Sequence, residues 1–306
     1  FMASDLFNSS SSSFILVGVP GLEAFPTCLG ILFCSAYVIA LVGNGAVLLV
    51  LGLDRSLHAP THRFLGMLAV IDVVMVMSVV PKMLSVFWLD SAEIGSVACF
   101  VQMFLVRSTT AEESGVLLAM AIDRYVAICH PLRYQAILNG QAIAQIGLAI
   151  VLRALPFMVP LTGLVTSLPH CGSRVVPHSY CKHEAVASLA CADPGPSGLY
   201  SVAGSSLIVG MDVAFIAVSY GLILRAVLGK ESRWKALSTC GCHLCVVLLF
   251  YVPGIVSIYS QQFGGAVPTC TRVLLADLYL TLPTTLNPIV YSMRTMQIRR
   301  ALLKML

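Results

Sequence analysis

The chain has 306 residues, of which 58% are hydrophobic and 10% charged, with a formal net charge of +4. A soluble domain carries about 25% charged residues, so this composition excludes an ordinary water-soluble globule and places the chain in lipid. The small positive balance gathers in the loops of one face and leaves no nucleic-acid footprint.

Residues 1–26 read as a polar tail. Asn8-Ser9-Ser10 fits the acceptor pattern for N-glycosylation, and no signal-peptide pattern precedes the first apolar segment. Seven segments nearly free of charge follow, at about 27–53, 61–87, 98–129, 142–168, 198–228, 236–262 and 271–293. Each is long enough for the roughly 20 helical residues that span a bilayer core, and β-barrel alternation is absent. The fold class expected is therefore all-α: a seven-transmembrane helix bundle over 27–293. Residues 294–306 mix Arg299, Arg300 and Lys304 with Ile298, Leu302, Leu303 and Leu306, which suits a short amphipathic helix on the inner surface.

With the N-terminus outside, 12 of the 18 Lys and Arg fall on the cytoplasmic side, among them Arg55, Arg63, Arg124, Arg133, Arg225 and Lys230. This asymmetry obeys the positive-inside rule and orients the chain in a plasma membrane. The segment 169–197 is the one long loop, and it carries Cys171, Cys181 and Cys191. With Cys99 at the outer end of the third span, four cysteines on the oxidising side predict two disulfides, for which three pairings are open.

Charge at membrane depth is costly and marks function, so the polar positions inside the spans carry the next step. Asp72 in the second span and Glu113 in the third can reach one interior space, where two carboxylates suit a small cation or a shared proton. Arg107 lies eight residues past Cys99, roughly 12 Å down the third span, with Thr110, Ala111 and Ser114 on its face. It can anchor an anionic ligand group, or it can pair internally with Glu112, Glu113 or Asp277. Arg153 and Asp212 complete the set. Cys240-Gly241-Cys242-His243-Leu244-Cys245 spreads its ligand atoms around a helix, which argues against a metal centre. The chain holds no Walker A, His-Glu-x-x-His or Gly-x-Ser-x-Gly sequence, so an enzyme is not expected.

Asp123-Arg124-Tyr125 at the end of the third span and Asn287-Pro288-Ile289-Val290-Tyr291 in the seventh, with Asn44 and Asp72, resemble the rhodopsin-like G-protein-coupled receptors. The run Met120-Ala121-Ile122-Asp123-Arg124-Tyr125-Val126-Ala127-Ile128-Cys129-His130-Pro131-Leu132-Arg133-Tyr134 resembles the olfactory receptor signature, as does Lys235-Ala236-Leu237-Ser238-Thr239-Cys240-Gly241-Cys242-His243. His178-Ser179-Tyr180-Cys181-Lys182-His183 is similar to the class I, fish-like branch.

The resemblance implies a Cys99–Cys181 bridge, a Cys171–Cys191 bridge, and a sodium site at Asp72 and Glu113. It implies an odorant pocket touching Arg107, Thr110, Ala111, Ile258 and Gln262. At the inner side it implies coupling and switch roles for Asp123, Arg124, Tyr125, His243, Tyr251, Asn287, Pro288 and Tyr291. The partners it implies are a small-molecule odorant, membrane lipid and the stimulatory olfactory G protein, which raises cyclic AMP. Two positions depart from the branch. Arg107 stands where many relatives carry His, and Gln261-Gln262-Phe263-Gly264 stands where many carry His-Arg-Phe-Gly. Either the pocket cation has moved, or Arg107 is neutralised by Glu112 or Glu113 and the ligand is uncharged. A transporter of a small solute is the rival expectation, but the broken-helix repeat it needs is not apparent.

Overall fold

The computed structural model describes residues 13–54, 59–89, 91–169, 173–193, 195–228, 233–263 and 267–294, with the side chains of 233–239, 261–263 and 292–294 left undescribed. Asn8, Cys171 and the expected helix at 295–306 lie outside that set. Strand β1 (Ser13–Leu16) precedes α1 (Pro26–Leu53) and α2 (Pro60–Trp88). After β2 (Glu93–Gly95) come α3 (Ser96–Cys129), a 3-10 turn, α4 (Tyr134–Ile137) and α5 (Gly140–Thr166). Strand β3 (Val175–Val176), the single-turn α6 (His183–Ala187), α7 (Gly195–Val227), α8 (Arg233–Phe263) and α9 (Thr269–Arg294) complete the order.

Six of these helices are long and apolar enough to cross a membrane, and α3 joined to the segment Pro131–Ile137 makes the seventh. The α3 helix is 34 residues long, but Arg107, Glu112, Glu113, Asp123 and Arg124 lower its mean hydropathy. The ends of the seven long helices fall within three residues of the spans read from hydropathy, because the lipid-length rule and the loop polarity both act locally. Pro26 and Pro60 open α1 and α2 at the first turn, where a missing N–H costs nothing. Asn139 caps α5, its side chain accepting from Ala142 N at 2.9 Å.

The bundle is apolar outside and polar inside. Val42 and Leu53 are each 67% exposed on the α1 surface, whereas Asp72, Asp123 and Asp277 are fully buried. That inversion suits an exterior of hydrocarbon, where polar groups find partners only within the bundle. Helices close tightly where glycine allows it: a Cβ on Gly204 of α7 would overlap the Phe157 ring of α5.

The long loop and the N-terminal segment are more ordered than hydropathy predicts. The three strands form one small sheet in the order β2-β1-β3, with β1 antiparallel to β2 and parallel to β3. Phe14, Leu16, Val176 and Val186 pack under it against Met103, beside the Cys99–Cys181 disulfide. The sheet and α6 thus make a lid over one end of the bundle.

Candidate functional site

Beneath the lid lies a cavity of about 80 Å³ between α3, α5, α7, α8 and α9. Arg107, Thr110, Ala111 and Ser114 line it from one face of α3, and Ile258 lines it from α8. The helical spacing read from the sequence is what brings those four α3 positions together. Gln262 lies one turn beyond Ile258 on α8, and its side chain is outside the described set. The lid supplies Tyr180, Lys182, His183 and Glu184.

Several bonds pin the lid to the helices. Cys181 is bridged to Cys99, and its backbone N–H donates to Gln102 Oε1 at 2.8 Å. The Ser179 hydroxyl donates to Asp277 of α9. The Arg107 guanidinium makes an ion pair with Glu184 and donates to Ser201 Oγ of α7 at 3.2 Å. The internal partner of Arg107 is therefore neither Glu112 nor Glu113 nor Asp277, but an acid of the lid. Glu113 turns to the helix interior, Asp277 is engaged by Ser179, and Glu184 folds over the cavity mouth from 77 residues away. Burial raises the Glu184 carboxyl, but Arg107, then Lys182 and His183, hold it well below the usual carboxylate range. Cys191 is also disulfide-bonded, while Cys171 lies outside the described residues.

Directly beneath the cavity a polar chain crosses four helices. Arg153 of α5 donates to Asp212 of α7 at 2.5 Å and to the Ala111 carbonyl of α3 at 3.0 Å. The Ser114 hydroxyl donates to Asp212 and lies 2.8 Å from the hydroxyl of Tyr251 on α8. Since the Ser114 proton is committed to Asp212, Tyr251 is the donor of that second bond. Sequence reading flagged Arg153, Asp212 and Tyr251 separately; their joining through Ser114 has no local sign, because the four sit on four different spans.

Deeper, Asn287 Nδ2 of α9 is 3.0 Å from Asp72 Oδ2 and 3.5 Å from Glu113 Oε1. One amide thus serves two buried carboxyl groups, and Asn287 Oδ1 has no hydrogen-bond partner among the described residues. Such a donor-poor, acceptor-rich nest fits a monovalent cation. Pro288 packs toward Gly43 of α1.

At the opposite end, Asp123 accepts from Thr61 Oγ1 at 2.8 Å and from Tyr134 Oη at 2.6 Å, with Arg124 3.7 Å away. Tyr125 packs edge-on against His130. His243 Nδ1 is 2.6 Å from Tyr220 Oη, and Tyr291 Oη lies 3.9 Å from Met120 Sδ. Thr61 and Tyr134 were not singled out from the sequence; the Leu-Arg-Tyr ending of the third-span motif was the available sign of Tyr134.

The olfactory receptor family model matches residues 33–306. The chain belongs to the olfactory receptor family. It is 53% identical to human olfactory receptor 52I2 over 292 residues, covering 94% of this chain and 83% of that one. It is 53% identical to human olfactory receptor 52I1, covering 94% and 90%, and 46% identical to human olfactory receptor 51E2, covering 97% and 94%. Those similarities place this olfactory receptor in the class I branch. It is a seven-helix membrane receptor and not an enzyme, and the similarity gives the transporter alternative no support.

Proposed function

We propose that this receptor sits in the plasma membrane with its lid outside, binds a small odorant in the cavity under the lid, and activates a stimulatory G protein that raises cyclic AMP. The observation that carries the reading is the contact between cavity and switch: Ser114 lines the cavity and bonds to Tyr251. An odorant that fits better when α8 moves outward shifts the population toward that packing. The hydrogen bond from Tyr251 makes the α8 position sensitive to the cavity's contents.

In this reading Thr110, Ala111 and Ile258 contact the body of the odorant, and Gln262 joins them on the sequence alone. Arg107 ties the lid to α3 through Glu184. On the cytoplasmic side, loosening of Asp123 frees Arg124 to meet the G protein, while Tyr125, His243, Asn287, Pro288 and Tyr291 repack around it. Asp72 and Glu113 would hold a sodium ion with Asn287, and the ion would supply the positive charge that two buried carboxylates lack. Asn8 would carry a glycan on the outer tail, and Cys171 would bridge to Cys191.

A cyclic AMP assay in cells displaying the receptor tests this against a panel of odorants. Ligand-dependent cyclic AMP without solute uptake is expected. The Ser114→Ala variant should reduce the maximal response by about tenfold, as a hydrogen bond to a charged network is lost. A full response from Ser114→Ala at normal surface display would sink the proposed route to α8.

A further inference from the structure

Arg153 has one hydrogen bond to give that the chain does not take. Its Nη1 donates to Asp212 and its Nη2 to the Ala111 carbonyl, but its buried Nε–H has no partner among the described residues. The same side chain stands at the head of a groove of about 210 Å³ between α3 and α5. Leu118, Ala119 and Ile122 wall the groove from α3, and Ile146, Ala149 and Ile150 wall it from α5. Arg153 is the only polar side chain among the residues that line it, and the lining shares no residue with the cavity under the lid. Ile122 and Ala149 are exposed, so the groove opens toward lipid. Gly115 makes room at the head: a Cβ there would come within 2.9 Å of Ile150 and 3.0 Å of Arg153.

Depth and charge select the occupant. Arg153 lies 13 residues from each end of α5 (Gly140–Thr166). At 1.5 Å per residue that is about 20 Å from either end, near the middle of a hydrocarbon core roughly 30 Å thick. Phospholipid headgroups, ester carbonyls and sterol hydroxyls stay at the interface, about 15 Å off, so the polar atom of a membrane lipid falls short of this N–H. The charge of Arg153 is already answered by Asp212, so an anion has no unpaired cation to meet. What is missing is one neutral acceptor. An N–H without an acceptor is costly in hydrocarbon, and so is a dissolved carbonyl without a donor; their meeting removes both costs. We infer that the groove between α3 and α5 is a second, membrane-side ligand site, for an uncharged lipophilic molecule with one hydrogen-bond acceptor, in its simplest form an aliphatic ketone.

The test labels the full-length receptor in phosphatidylcholine nanodiscs with a diazirine-bearing analogue of 2-decanone, and maps the modified residues by mass spectrometry. Saturable label is expected on the groove walls, at Leu118, Ile122, Ile146 or Ala149. Unlabelled 2-decanone should compete there about tenfold better than decane, which has the same length and no acceptor. Ala149→Phe fills the groove from its exposed edge and should lower that label about tenfold. If Ala149→Phe fails to fold, Ile122→Phe on the facing wall takes its place. Arg153→Lys keeps a cation for Asp212 but removes the Nε–H, and should bring the ketone down to the level of decane. Label confined to the cavity under the lid, label spread evenly over the lipid-facing helices, or no saturable label overturns the inference. So does decane competing as well as the ketone, or label unchanged in the filled-groove variant. None of these readouts passes through cyclic AMP, so the signalling proposal stands or falls separately.

Discussion

At the end of the bundle away from the sheet, Asp123 accepts on both oxygens, from Thr61 and from Tyr134, and Arg124 stands 3.7 Å off. At the sheet end, Lys182 Nζ, both His183 nitrogens and Glu184 Oε2 are buried with no hydrogen-bond partner among the described residues. The same chain therefore satisfies buried charge at one end and leaves it short at the other. A satisfied carboxylate holds its helices in one packing, since any motion must break bonds before it makes new ones. Unpartnered groups exert no such hold, because they have no hydrogen bonds to break. Between them, Arg153, Asp212, Ser114 and Tyr251 form a hydrogen-bonded layer, with Arg153 Nε alone among their polar atoms left without a partner among the described residues.

That middle layer is where the largest effect is expected. Asp212→Ala leaves Arg153 as a part-buried guanidinium without its carboxylate, and removal of one member of such a pair costs about 3–5 kcal/mol. Surface display should collapse and the unfolding temperature of the purified receptor should fall. Adding Arg153→Met should recover part of the loss, because the uncompensated charge goes with it. If Asp212→Ala unfolds at the wild-type temperature, the layer is no support for either end, and the contrast between the ends loses its connection.

How much of this could be read from the chain divides along the same line. Half of the satisfied end is written in one contiguous run, Asp123 to Tyr134, so a local motif carried it, whereas Thr61 reaches Asp123 across 62 residues and needed the fold; the seven spans followed from lipid length and hydropathy. The lid was not legible, because its bonds span long separations: β1 pairs with residues near 94 and 175, and Arg107 finds Glu184 across 77 residues. Hydropathy is silent on such pairings, and Glu112 beside Glu113 offered a nearer partner that helix geometry turns away from Arg107. The Asp72–Glu113 pair was visible from depth alone; Asn287 as the amide between them needed the fold.

A middling effect is expected from Tyr134→Phe, which removes one donor from Asp123 and changes nothing else in shape. A hydrogen bond to a charged group contributes about 1.5–3 kcal/mol, so the closed packing should lose about ten- to a hundredfold in its favour. Basal cyclic AMP should rise with little change in surface display, and Thr61→Val should act the same way. Unchanged basal signalling in both variants would mean that the satisfied end is not a restraint, and the contrast would reduce to one of packing.

The smallest effect sits on the lid and sharpens the unsatisfied end. His183 titrates at about 4 in the folded receptor, held down first by burial and then by Arg107, against 6.5 when exposed. Between those values the unfolded chain takes up a proton that the folded chain refuses. Stability therefore falls as pH drops from 6.5 toward 4, by at most about 1.4 kcal/mol per pH unit. His178 is also held low by burial, and next by Lys182, so it shares the window. Glu184 belongs to a lower one: its depressed pKa gives stability that is present above the ordinary carboxylate range and lost in stronger acid. Thermal unfolding of the receptor between pH 6.5 and 5 should thus show a slope that His183→Gln reduces by up to one proton, while His178 keeps the rest. Parallel curves for the two proteins would place His183 in contact with water and remove it from the set of buried, unpartnered groups of the lid.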